Sequence, residues 1–279
     1  MIRAGIFAKT FARPTMEEAL DAVAASGIRE IQFNMAIAGG PSLPAEVPPE
    51  VVDEVRRAVD ARGLRMAAVS GTYNMAHPDP AVRADGSARL AALIAAAPRL
   101  GTRVVTLCSG TRDPVDMWRA HPANGTPEAW RDSVEQIAAA LAVAERHGVV
   151  VAFEPEHNNV VADAKAGRRL LDELGSAHLA VVIDAANLVR PGELDRQGDT
   201  LPEAFALLGD ALVVAHAKDV QEDGTVVAAG RGGLDYDLYV TLLHEARYDG
   251  PLVLHGLSEE EVPGAAAFLR ARLDILPAP

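Results

Sequence analysis

Short apolar runs alternate with longer amphipathic segments from one end of the chain to the other. The runs cover residues 2–7, 30–34, 64–70, 103–108, 149–154, 179–184, 211–217 and 251–256. They lack the in-and-out alternation of a half-exposed sheet, which is the pattern of parallel strands covered on both faces. Between them the period changes to that of a helix. Trp130, Val134, Ile137, Leu141 and Ala144 recur at helical spacing after Thr126-Pro127-Glu128, which offers an N-cap, a first-turn proline and an acidic first turn, and the pattern stops at His147-Gly148. Val51, Val55 and Val59 lead to Gly63 in the same way, and Leu90, Leu93, Ile94 and Ala97 lead to Gly101, with Pro98 expected to kink or shorten that helix. Ser258 and Glu261 have the spacing of a capping box, so Glu259, Glu260 and Glu261 read as the first turn of the last helix.

Eight strand-and-helix alternations in 279 residues fit a closed (β/α)8 barrel better than an open doubly wound sheet. No linker, charge block or low-complexity tract interrupts them, so residues 1–279 are expected to form a single barrel domain. Two connections, residues 109–126 and 218–234, are longer than a barrel needs, and each follows a strand. Both are therefore expected over the C-terminal mouth.

Composition narrows the partners. With 26 lysines and arginines against 39 aspartates and glutamates the formal charge is −13, which offers no basic face for a nucleic acid. No apolar stretch approaches the ~20 residues of a membrane helix, and the N-terminal segment lacks the apolar core of a secretory signal, so a cytoplasmic protein is expected. The one cysteine, Cys108, cannot form an internal disulfide and reads as a small packing residue. Barrels often associate, so a homo-oligomer is compatible with the sequence, although no surface stripe marks an interface.

A parallel barrel gathers its strand ends on one face, where barrel enzymes build their sites. The ends here are Asn34, Ser70, Cys108, Glu154, Asp184, His216 and His255. Glu154, Asp184, His216 and His255 each follow an apolar run, and all four are of metal-ligating type. Two carboxylates at buried strand ends cost several kcal/mol without a cation or donors to compensate them. A shared divalent metal ion resolves that cost; the mixture of imidazole and carboxylate suits Mn2+, Co2+, Zn2+ or Fe2+ better than Ca2+. Each residue also has a plainer reading: Glu154 in a salt bridge, Asp184 capping the next turn toward Asn187, His216 in a hydrogen-bonded cluster with Lys218 and Asp219, and His255 as a satisfied buried histidine.

The segments FEPEHNNVV, VIDAANL and AHAKD, with AAGRGGLDY and YDGPLVLHG, resemble the xylose-isomerase-like barrel superfamily of sugar phosphate isomerases and epimerases. The resemblance spans nearly the whole chain. It implies a divalent-metal cofactor, Mn2+ foremost with Mg2+ also possible, held by strands five to eight; Glu154, Asp184 and His216 match, while His255 stands where a glutamate is more usual. It also implies a small-molecule carbohydrate substrate and an enediolate route in which Glu154 is both ligand and base. The missing strand-eight glutamate weighs against a symmetric two-base epimerisation. A metal-dependent lyase, dehydrating an inosose or keto-sugar or cleaving a 3-keto-glycoside, is the alternative. A catalytically silent sugar-binding barrel is a third reading, and the apurinic endonucleases of the superfamily are disfavoured by the charge.

Around that centre, Glu156 and His157 are expected to orient Glu154 or act as a second group, and Lys218 to donate to a developing oxyanion. Asn187 occupies the place where the resemblance puts a substrate-facing histidine. His77 and Asn74 after strand three, Arg112 and Trp118 in the long fourth loop, and Arg231 in the glycine run Gly230-Arg231-Gly232-Gly233 are the further candidates for substrate contact. The glycine run reads as turn chemistry sooner than as a phosphate cradle.

Overall fold

In the computed structural model, which describes residues 1–277, the eight apolar runs pair in parallel and close on themselves. The barrel strands are β1 (Arg3–Phe7), β2 (Glu30–Phe33), β3 (Arg65–Ser70), β4 (Val104–Cys108), β5 (Val150–Glu154), β6 (Leu179–Asp184), β7 (Leu212–Ala217) and β8 (Pro251–Leu254). Most begin or end a residue or two inside the apolar runs. Closure is made by β1 against β8, with Arg3 opposite Pro251 and Ile6 opposite Leu254.

Eight main helices form the outer layer: α1 (Met16–Ala25), α2 (Pro49–Ala61), α3 (Pro80–Leu100), α4 (Pro127–His147), α5 (Ala164–Leu174), α6 (Gln197–Leu208), α7 (Tyr236–Glu245) and α8 (Val262–Leu273). Their starts follow local chemistry. The Thr126 hydroxyl accepts the Ala129 N–H at 3.2 Å with Pro127 at the first helical position. Pro98 neither stops nor shortens α3, which runs on to Leu100 and ends at the left-handed Gly101. The Ser258/Glu261 capping box forms, but Glu259–Glu261 is a separate 3-10 turn ahead of α8.

Side chains of alternate parity divide the core. Phe7, Ala68, Ala152, Ala180, Val182, Val214 and Val253 meet one another inside the barrel, whereas Ile6, Phe33, Val151, Val181 and Leu252 pack outward under the helices. Moving two residues toward the C-terminal face from Ala152, Val182, Val214 and Val253 reaches Glu154, Asp184, His216 and His255. The two-residue repeat of a strand thus aims all four into the mouth.

Both long connections lie over that mouth. The first is folded around Asp113, whose carboxylate accepts the Val115 and Asp116 N–H groups, each at 2.9 Å, and pairs with Arg119 at 2.5 Å. Gly110 opens this loop at φ +78°, where a Cβ would lie 2.6 Å from the Met75 nitrogen, so only glycine fits. In the second, Asp219–Val220 and Val226–Val227 form a small antiparallel hairpin.

Candidate active site

The C-terminal mouth is a cavity of about 940 Å3, with Glu154, Glu156, Asn187, His216, Lys218 and His255 on one wall. Asp184 sits in the floor behind them, its carboxylate fully buried. Nearest-neighbour pairing of β6 with β7 sets Asp184 opposite His216. A hydroxyl behind the sheet holds that pair, since Tyr239 donates to the carbonyls of Ile183 and His216, at 3.1 and 3.0 Å. Tyr236 donates to the Lys218 carbonyl at 2.8 Å.

Asp184 divides its two oxygens between folding and the site. Oδ1 caps the single turn Ala185–Leu188 by accepting the Ala186 N–H at 3.0 Å, while Oδ2 faces His255 Nε2 at 3.0 Å, Lys218 Nζ at 3.4 Å and His216 Nδ1 at 3.9 Å. Asp184, His216 and His255 each bring a ligand atom within 4.8 Å of the others, the spread a single metal ion can span. Glu154 stands next to this group: its Oε2 is 3.3 Å from His216 Nδ1, and its Oε1 accepts the Asn187 amide at 2.5 Å.

His216 is the test of whether a cation fits. Its Nε2 lies 2.8 Å from Gln32 Oε1, an acceptor, which places the ring proton on Nε2. Nδ1 is buried, without a hydrogen-bond partner, and turned toward two carboxylates. A metal ion among these three atoms would give the orphaned nitrogen a partner and compensate both carboxylates. Asp184, His216 and His255, with Glu154 beside them, have the donor types for such an ion.

Lys218 partly compensates the cluster. Its Nζ donates to Asn187 Oδ1 at 2.7 Å, so Asn187 links Lys218 to Glu154. Burial by itself lowers the lysine's pKa, yet the charges of Asp184, Glu154 and Glu156 carry it above its ordinary value. The same balance acts on the carboxylates. Burial works to raise Asp184, but Lys218 and the two histidines hold it well below the usual range. Glu154 is likewise held low against its burial, by His216 and Lys218. Glu156 goes the other way: burial first, then the charge on Glu154, push its carboxyl up to about 7. Burial and neighbouring His216 lower the pKa of His255.

The remaining candidates separate. Trp118 lines the cavity and is 52% exposed at its rim. The other five do not line the cavity. Arg112 pairs with Asp132 at 2.7 Å, and Asn74 bridges loops by accepting the Thr111 N–H and donating to the Asp113 carbonyl. His77 Nδ1 accepts the Asp79 N–H at 3.0 Å ahead of α3, and His157 Nδ1 lies 3.3 Å from the Asn187 carbonyl. Arg231 is exposed in the glycine run, whose Gly230 N–H binds the Asp219 carboxylate at 3.0 Å, as does the N–H of Leu234. An internal carboxylate therefore fills the place a phosphate would take. Gln32 was not anticipated as a site residue; its signal was an amide two residues from Asn34 inside the apolar run of β2.

The chain belongs to the xylose isomerase-like TIM barrel family, whose model matches residues 20–272. Sequence comparison with the curated proteins finds no match. Among solved structures it is similar to a 3-keto-D-glucoside 4-epimerase from E. coli (17% identity, TM-score 0.75, covering 97% of this chain and 100% of that one). An L-ribulose 3-epimerase is alike at 18% identity and TM-score 0.74, with 98% and 95% of the two chains covered. A probable 3-DHS dehydratase from Bacillus anthracis is alike at 12% identity and TM-score 0.71, with 96% and 99% covered. At such identities the likeness establishes the fold.

Proposed function

We propose that the protein is a divalent-metal-dependent isomerase or epimerase of an unphosphorylated keto- or aldo-sugar, or of a polyol-derived ketone, acting through an enediolate. The observation that carries the reading is the buried, unpartnered Nδ1 of His216 set between the carboxylates of Glu154 and Asp184. Asp184, His216 and His255 hold the ion, with Glu154 as the fourth ligand. When bound, a Mn2+, or a Co2+, Zn2+, Fe2+ or Mg2+, supplies Lewis acidity to a carbonyl and its neighbouring hydroxyl.

The chain's own groups then move the proton. Glu154 takes it from the carbon beside the carbonyl, its Oε2 being free of the Asn187 hydrogen bond that fixes Oε1. Lys218 donates to the oxygen on which charge develops, and Asn187 keeps lysine and carboxylate in register. Glu156, fixed by the Asn159 amide at 3.0 Å, is the second carboxyl on the same wall. Trp118 offers an aromatic face at the rim for the sugar ring.

One observation favours a second reading, a lyase on the same barrel. His255 stands at the end of β8, so no strand-end carboxyl faces Glu154 for a two-base inversion, and Glu261, which lines the cavity beyond it, belongs to the capping box with Ser258. Expulsion of a β-hydroxyl needs no such facing carboxyl.

Proton NMR of Mn2+-loaded protein with candidate ketoses in D2O separates the two. Deuterium gained at the carbon beside the carbonyl, with the oxygen count kept, is the expected result; loss of water identifies the lyase. Glu154→Gln is expected to abolish either reaction, and undiminished turnover in that variant would rule out both schemes.

A further inference from the structure

The wall facing Glu154 carries a cation that this scheme does not use. Lys9 follows β1 in the 3-10 turn Ala8–Thr10, and β1 lies four strands from β5 in either direction around the barrel. Lys9 therefore enters the cavity from across the mouth, beside Thr10 and Asn34. Its Nζ is 4.5 Å from the centroid of the Phe7 ring, which lines the same wall.

The sequence contains three lysines, Lys9, Lys165 and Lys218, the remaining basic residues being arginine. Lys165 pairs with Glu203 at 2.9 Å and Lys218 with Asp184 at 3.4 Å. Among the described residues no carboxylate lies within 4 Å of Lys9, in a chain that carries 13 more acidic than basic residues. None of the acidic residues that line the cavity pairs with it, and each has another partner. Glu154 is engaged by Asn187, Glu156 by Asn159, and Glu261 accepts the Ser258 N–H at 2.8 Å. Lys9 is exposed at the mouth, and what burial it has lowers its pKa with no acidic neighbour acting against it. An ammonium on the cavity lining, set over an aromatic ring and without a counter-ion, is placed to pair with an anion that enters the mouth.

We propose that Lys9 selects a substrate bearing a carboxylate, a ketose acid or a related keto-sugar acid, whose carboxylate pairs with Nζ while its carbonyl end reaches the Glu154 wall. The inference rests on the isomerase or lyase reading above and adds the substrate class to it. It also gives the two ends of the cavity different tasks, charge recognition at β1 and proton transfer at β5.

The test compares D-fructuronate with D-fructose, ketoses that differ at C6 as carboxylate against hydroxymethyl. Deuterium uptake from D2O is followed by NMR for the Mn2+-loaded wild type, Lys9→Met and Lys9→Arg, and calorimetry measures the affinity of each protein for both sugars. The wild type is expected to favour fructuronate by about ten- to hundredfold in KM and in affinity, the strength of one charge-assisted pair. Lys9→Met should collapse that ratio to near one, and Lys9→Arg should keep most of it. Equal wild-type affinities, or a preference that survives in Lys9→Met, overturn the proposal. So does a Lys9→Met protein that keeps the preference in binding and loses exchange with both sugars, which would make Lys9 a proton-transfer group. Absence of deuterium uptake with either sugar counts against the reaction instead, and the calorimetric ratio then decides Lys9 by itself.

Discussion

Gln32, on β2, orients the imidazole of His216, on β7, through a 2.8 Å contact between Oε1 and Nε2 inside the barrel. The imidazole is held from behind by a neutral acceptor, and Gln32 is itself held because its amide donates to the Thr106 hydroxyl at 3.2 Å. Loss of such a supporting partner costs about 10- to 100-fold in metal affinity. Gln32→Leu is therefore expected to weaken Mn2+ binding by that factor, read by electron paramagnetic resonance titration, with the circular dichroism spectrum unchanged. Unaltered affinity would show that His216 needs no such support.

Lys218 and the proposed metal ion would answer the same demand, the buried charge of Asp184. Removing one partner of a buried pair costs about 3–5 kcal/mol. Lys218→Met should lose stability of that order in urea titrations with chelator present, and noticeably less with saturating Mn2+. An equal loss in both conditions would mean that lysine and ion do not share Asp184.

Cys108 ends β4 at the cavity wall, yet burial first, and then the negative charge of Glu156, raise its thiol well above the ordinary range. The nucleophilic thiolate is scarce at neutral pH. Iodoacetamide at pH 8 is expected to leave the native protein unlabelled and to modify Cys108 fully in denaturant, as mass spectrometry would record. Rapid native labelling would mean an anionic cysteine and a different site chemistry.

Asp113 orders the loop of residues 109–126. Its hydrogen bond from Arg119, with those from the Asp116 and Val115 N–H groups, holds its pKa below the ordinary carboxylate value. A carboxylate depressed on folding stabilises the folded loop above the unfolded value of about 3.9, and that contribution disappears as the pH falls through the lower, folded value. Pepsin should spare this loop at pH 3.5 and cut it readily in Arg119→Gln, whose Asp113 is protonated at a higher pH. Equal cleavage of the two proteins would remove Arg119 from the account.

The barrel was legible because each of its eight strands is a run too apolar to face water and each interval carries helix punctuation. Glu154, Asp184, His216 and His255 were legible as candidates because a parallel barrel converts "last residue of a strand" into "one face of the molecule". What the one-dimensional pattern cannot carry is competition for partners. Arg112, Asn74 and His77 have the right chemistry and follow the right strands, but loop-ordering contacts with Asp132, Asp113 and Asp79 take them up. Gln32 and Lys9 carry the opposite lesson. Gln32 lies in β2 and Lys9 in the turn after β1, where the strand ends showed no ligand types, and their importance depends on what stands across the barrel.

The ligand types all stand at the ends of strands, on backbone locked by neighbouring strands and by Tyr239, while Trp118 and the hairpin of residues 219–227 ride on loops. The proposed chemistry and the rim contacts proposed for the sugar thus rest on different parts of the fold. A descendant could exchange its whole rim, and with it its diet, and still keep the same furnace beneath.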